Sequence, residues 1–219
     1  MNITLLCNAG LLLEYNGNLL AVDLPNEDWA PFYWLSEEQW NRLCENSHRL
    51  CGFFFTHDHP DHLDKSRIFT YLQSHPGISS FVPSEGDKNG TMEMGSFIIR
   101  YHRVDHAPLP VVPPHVTAII EAGDKRIYVA ADAKPDCVRH KEILGNRTVD
   151  AAFWNSMYLS HADTRALMAS VSNKNYIYHM PQKSETDGMW RKAQKNLELY
   201  KDELKTVTVL GVYPTTIIL

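Results

Sequence analysis

Apolar residues fall along this chain in two rhythms. Short apolar runs of strand length occupy Ile3 to Cys7, Leu11 to Tyr15 and Leu19-Leu20-Ala21-Val22. Asn16-Gly17 between the last two is a tight-hairpin pair, because such a turn needs residues that tolerate positive φ. Gly52-Phe53-Phe54-Phe55 reads as a buried strand, and Phe97 to Val104 as an alternating one. Val116 to Glu121 and Arg126 to Ala131 flank Ala122-Gly123-Asp124-Lys125 as a second hairpin, and Asn175 to Tyr178 adds another strand.

The helical rhythm appears between these runs. Ser36-Glu37-Glu38-Gln39 is a capping box that opens a helix to about Asn46. Lys65 to Ser74 carries Ile68, Phe69, Tyr71 and Leu72 and is stopped by Pro76-Gly77. Ala162 to Val171 and Met189 to Leu204 read as amphipathic helices. The pattern alone says mixed α and β, with strands in both halves.

Length and charge narrow the class. The 219 residues suit a single domain over 1–219, without an evident linker, repeat or low-complexity tract. Net charge is −5 with basic residues dispersed, so no nucleic-acid partner is expected. Apolar runs are too short to span a membrane, and Met1 to Cys7 lacks the basic start and cleavage site of a signal peptide. Cys7, Cys44, Cys51 and Cys137 show no C-x-x-C pairing. A cytoplasmic protein is the expectation.

The candidate chemistry sits at residues 56 to 62, Thr56-His57-Asp58-His59-Pro60-Asp61-His62, directly after the Phe-rich strand. Imidazole and carboxylate donors suit zinc, manganese or iron, and the absence of cysteine among them argues against a structural zinc clip. Pro60 excludes a helix interior, so the segment is an irregular turn whose side chains can aim at two points. That arrangement suits two divalent ions, with zinc first and manganese or iron as alternatives.

The segment resembles the H-x-H-x-D-H signature of the metallo-β-lactamase superfamily, and the resemblance extends along the chain. It implies a four-layer αββα sandwich of the α+β class, with the site on one edge. It also implies the further ligands His106, Asp132 and His179, each after a strand-like run. The first ion would take His57, His59 and His106, the second Asp61, His62 and His179, with Asp132 bridging. The implied activity is hydrolysis of a small molecule by a hydroxide held between the ions. Asp61 would serve catalysis as well as ligation.

Residues 150 to 165 resemble the phosphodiesterase branch of that superfamily. His161 matches a branch histidine that acts as general acid or phosphate-binding group, although Asn155 stands where the branch has glutamate. The other reading of His161 is a surface histidine before a helix. Asp23 resembles an aspartate that supports a ligand from behind, or is a turn aspartate before Pro25. His115 lines the pocket or is an ordinary loop residue, and His48, His75 and His140 read as solvent-facing. Trp29, Pro31, Phe32, Tyr33 and Trp34 border the cleft, or serve the core or a homodimer interface. A phosphodiesterase is the first expectation, and a lactonase or thioesterase-type hydrolase is the alternative.

Overall fold

The computed structural model describes residues 1–107, 112–145, 147–183 and 187–219. One sheet is built from β1 (Asn2–Leu5), β2 (Leu11–Tyr15), β3 (Asn18–Val22), β4 (Leu50–Phe54), β5 (Ser79–Phe81) and β13 (Thr215–Ile218), in the order β13-β1-β2-β3-β4-β5. The other contains β6 (Asn89–Met94), β7 (Phe97–Arg103), β8 (Val116–Ala122), β9 (Lys125–Val129), β10 (Ala151–Trp154), β11 (Asn175–Ile177) and β12 (Val207–Val209), in the order β12-β11-β10-β9-β8-β7-β6.

Alternation along each strand sorts side chains into layers. Ile3, Leu5, Leu13, Leu20, Val22 and Phe54 face Phe97, Ile99, Ile120, Ile127, Val129 and Phe153 between the sheets. The intervening residues face outward. Leu19, Ala21, Phe53 and Phe55 pack with Leu43 of α1 (Glu37–Glu45) and with Ile68 and Tyr71 of α2 (Lys65–Ser74). On the other side Ile119, Tyr128, Ala152 and Trp154 meet α3 (Cys137–Leu144), α4 (Ala162–Val171) and α5 (Gly188–Leu199) through Ile143, Leu167, Met168 and Trp190. The expected four-layer α+β sandwich is what results.

Local signals explain the element ends. The Ser36 box closes reciprocally, with Ser36 Oγ accepting from Gln39 N at 3.2 Å and Gln39 Oε1 accepting from Ser36 N at 3.0 Å. Asn16 and Gly17 sit at φ 49° and 80°, as a two-residue hairpin requires. Gly123 turns at φ 60° beneath Tyr15, where an added Cβ would lie 1.9 Å from the phenol oxygen, so a larger residue would be strained in its backbone and would push the Tyr15 ring aside. Two expected elements are shorter. β1 stops at Leu5, since Leu6 N turns to Gly10 O at 2.9 Å. The last helix ends at Leu199 instead of Leu204; Tyr200 leaves helical geometry, and the Arg165 guanidinium stacks over its ring at 3.5 Å.

His140, expected at the surface, is fully buried between α3 and the second sheet. Its Nδ1 meets Tyr128 Oη at 2.5 Å, and its Nε2 meets Tyr158 Oη and, at 3.3 Å, Lys134 O. Burial drives its pKa down to about 4, only partly opposed by the Lys134 carbonyl.

β3 pairs in parallel with β4, as β9 does with β10 and β10 with β11. Their C-terminal ends therefore open at common edges, the position at which strand-borne sites gather.

Candidate metal centre

From the first sheet, β4 delivers the turn holding His57, His59, Asp61 and His62. His62 N and Leu63 N both donate to His59 O at 2.9 Å, which curls the chain around Pro60. Buried Asp23, at the end of β3, braces this turn: Oδ1 accepts from Thr56 N at 2.7 Å, and Oδ2 accepts from Thr56 Oγ1 at 2.8 Å and His62 Nδ1 at 3.0 Å. The His62 ring is thereby fixed with Nε2 pointing forward.

The second sheet supplies the rest. Asp132 follows β9, and Asn155 Nδ2 donates to the carbonyls on either side of it, Ala131 O at 2.9 Å and Ala133 O at 3.1 Å. Ala107 N donates to Asp132 O at 2.8 Å, placing His106 alongside. His106 Nδ1–H donates to Ala107 O at 2.7 Å, which leaves Nε2 as the free lone pair. His179 follows β11. Asp23, Ala131 and His179 adopt φ of 51°, 48° and 57°, a region that costs non-glycine residues ~1–3 kcal/mol each. All three lie at strand ends that aim a site residue.

Two donor groups result: His57, His59, His106 and Asp132, and Asp61, His62 and His179, the atoms of each lying within 4.8 Å of one another. In the first, His57 Nε2 is 3.1 Å from His59 Nδ1, and Asp132 Oδ2 is 3.5 Å from His106 Nε2. In the second, His179 Nε2 is 3.0 Å from His62 Nε2 and 3.1 Å from Asp61 Oδ2. Asp132 reaches into both, with Oδ2 3.7 Å from His62 Nε2 and Oδ1 3.4 Å from His179 Nε2. All seven expected ligands are thus brought together, grouped as the resemblance implied.

The donors fit divalent metal. Around an ion with ligands at about 2.1 Å, neighbouring donors lie about 3–3.5 Å apart, close to the spacings here. His106 Nε2 is buried and has no hydrogen-bond partner, a lone pair aimed at the first group. Nitrogen and carboxylate donors without thiolate admit zinc, manganese or iron.

Charge is uneven between the groups. Burial, then the charge of His62 and His115, holds His57 well below the usual imidazole range. Burial opposes charge on His62 too, yet the Asp23, Asp61 and Asp132 carboxylates hold it well above that range. Against its own burial, the His62 and His179 imidazoles hold the Asp61 carboxyl down at about 2. Ligation at the second group must therefore displace protons.

The groups floor a cleft of about 480 Å³ walled by Trp29, Phe32, Pro60 and Ala107. Phe32 sets its edge on the His179 ring at 4.7 Å, and Trp29 is 52% exposed. Tyr33 instead stacks on Tyr213 at 5.0 Å.

Two expectations need correction. His161 caps α4 without a side-chain hydrogen bond, is exposed, and is absent from the described cleft lining. The chain turns away after Asn155, whose amide is committed to the Asp132 loop. His115 is fully buried behind the site, where Nε2 accepts from Asp132 N at 3.2 Å, and does not line the cleft. Asp23, by contrast, takes the first of its two expected roles and supports a ligand from behind, holding Thr56 and His62. Sequence reasoning missed Thr56 and Asn8, both fully buried; the one available signal for Asn8 was a polar residue wedged between Cys7 and Ala9.

No protein-family model matches this chain, and no curated protein matches it. Solved structures do. A possible metal-dependent hydrolase from Veillonella parvula superposes with TM-score 0.67 at 16% identity, covering 100% of this chain and 99% of that one. YhfI from Bacillus subtilis, a metallo-β-lactamase fold protein, gives 0.64 at 13%, covering 99% and 98%. CmlA, a diiron β-hydroxylase from Streptomyces venezuelae, gives 0.68 at 14%; all of this chain is covered, and it spans 54% of that protein's length. At such identities the likeness is one of fold, and the fold is that of the metallo-β-lactamases.

Proposed function

We propose that this protein is a dinuclear metal-dependent hydrolase acting on a small ester, lactone or thioester with an apolar or ring-bearing portion. The observation that carries the reading is the pair of donor groups sharing Asp132 at the floor of a cleft. The ions, when bound, supply Lewis acidity that activates water near neutral pH and offsets negative charge on the substrate.

The chain's own residues supply the rest. No serine, threonine or cysteine occurs among the described lining residues, so water is the source of the attacking oxygen. Trp29 and Phe32 offer flat apolar faces to the non-reacting part of a substrate, and ring contacts of this kind orient it over the floor. No lysine or arginine lines the described cleft, so an anionic group on a substrate would be met by the ions alone. A phosphodiester is the second reading, favoured by Asp132 spanning both groups, since paired ions can grip two phosphoryl oxygens. Neighbours with this fold include a diphosphatase of the PhnP family and an isothiocyanate hydrolase.

Metal analysis of purified protein, joined to initial rates on aryl lactones, benzoyl thioesters and phosphodiesters, tests the reading. Two ions per chain are expected, with chelator-sensitive turnover that favours the acyl compounds. Turnover that survives complete metal removal sinks the proposal; preference for phosphodiesters selects the second reading.

A further inference from the structure

Asn8 lies in the turn after β1, remote in sequence from every ligand, and it is fully buried. Its Nδ2 donates to Asp61 O and to Asp61 Oδ2, both at 3.3 Å, and stands 3.3 Å from His179 Nε2. Its backbone carbonyl accepts from His179 N at 3.2 Å, while its own N–H donates to Tyr33 O at 2.9 Å. One residue thus touches two of the three donors in the second group, one supplied by each sheet.

A buried amide is costly unless its polar atoms are used. Here the N–H pair is spent on Asp61, whereas Oδ1 has no protein partner. The expense is accounted for by what an apolar residue of the same size lacks: two donors that clamp the carboxylate and the main chain of Asp61 together. A carboxylate so held cannot rotate away from His62 and His179.

Resting on the dinuclear reading above, we infer that Asn8 is the positioning residue of the second metal corner, holding Asp61 through its amide and His179 through its carbonyl. It has no hydrogen bond to His57, His59, His106 or Asp132, so it should govern one ion and not the other. The competing role is chemically distinct. With its amide turned over, Oδ1 would lie 3.3 Å from Asp61 Oδ2 and His179 Nε2, the spacing of a further ligand on the same ion. A negative charge at position 8 separates the two, since it repels Asp61 in the first role and strengthens ligation in the second.

The experiment uses full-length protein stripped of metal and titrated with cobalt(II), followed by calorimetry and visible absorption, with metal analysis at each step. Wild type should take up two ions. Asn8→Ala should bind the first with unchanged affinity and the second about 10–100-fold more weakly, as loss of a ligand-orienting partner does, with an altered absorption band for the second ion only. Asn8→Asp should weaken the second ion as well. If circular dichroism shows that Asn8→Ala does not fold, Asn8→Leu, which keeps the branching and the number of side-chain heavy atoms, carries the same comparison. Equal weakening of both ions, an unchanged second ion, or tighter second-ion binding in Asn8→Asp each overturns the inference. A wild-type protein that holds fewer than two ions overturns the dinuclear reading instead, so the two failures are told apart.

Discussion

Replacing His140 by Gln should flatten the acid side of the stability profile by an amount the structure sets. His140 is buried neutral between two phenols, with its pKa driven from an ordinary 6.5 to about 4 by burial. In the unfolded chain it regains an ordinary value, so between those two pH values the unfolded state binds the extra proton. Stability from this group is therefore fully present above about pH 6.5 and is lost as pH falls toward 4. A separation of about 2.5 units is worth about 3 kcal/mol in full, and about 2 kcal/mol accrues between pH 7 and pH 5. Other buried imidazoles and carboxylates titrate over the same span, so the quantity to read is a difference. Urea unfolding of chelated wild type and His140→Gln at pH 7 and pH 5 gives four free energies. Wild type should lose about 2 kcal/mol more than the variant over that interval, whatever the variant loses uniformly through its altered contacts. Equal losses in the two proteins would refute a neutral, buried His140.

Other outcomes follow from the same geometry. Asp132→Ala removes the carboxylate lying within 4.0 Å of His57, His62, His106 and His179; metal analysis should find both ions depleted and turnover down by orders of magnitude, and full occupancy would refute the shared role. Each ion, at a hundredfold over its dissociation constant, should add about 2.7 kcal/mol and raise the melting temperature by roughly 5–10 °C over chelated protein in calorimetry. His161→Ala should leave metal content and rates within about twofold, whereas a fall of two to four decades on phosphodiesters with poor leaving groups would reinstate a general acid. Trp29→Ala should raise KM about tenfold for ring-bearing substrates with kcat little changed, and an equal effect on aliphatic substrates would argue against ring recognition.

The ligands were legible because their chemistry and their local context agree. Histidines and aspartates directly behind apolar runs are what a strand edge with a site looks like, and all seven converge. His115, His140 and His161 resisted reading for the opposite reason. Each stands singly, with no neighbouring donor to mark it, and what surrounds it is decided by elements elsewhere in the chain. His140 is buried because Tyr128 and Tyr158 close over it, and His161 is exposed because the chain leaves the site after Asn155. Asn155 looked like a missing glutamate, but its amide ties the carbonyls around Asp132, a task that a carboxylate cannot perform. Asn8 left almost no trace because its partners, Asp61 and His179, lie 53 and 171 positions away.

The division of the chain between its sheets has a consequence for inheritance and engineering. Cutting between β5 and β6 would put His57, His59, Asp61 and His62 on one fragment and His106, Asp132 and His179 on the other, with β13 on the second fragment although it pairs with β1. Neither fragment would own a complete corner for either ion. The apolar core between the sheets would draw the two pieces together, and metal should tighten their reassembly, because each ion needs donors from both. For the same reason, grafting one sheet from a relative transfers half of each corner, and the exchangeable unit is the whole sandwich.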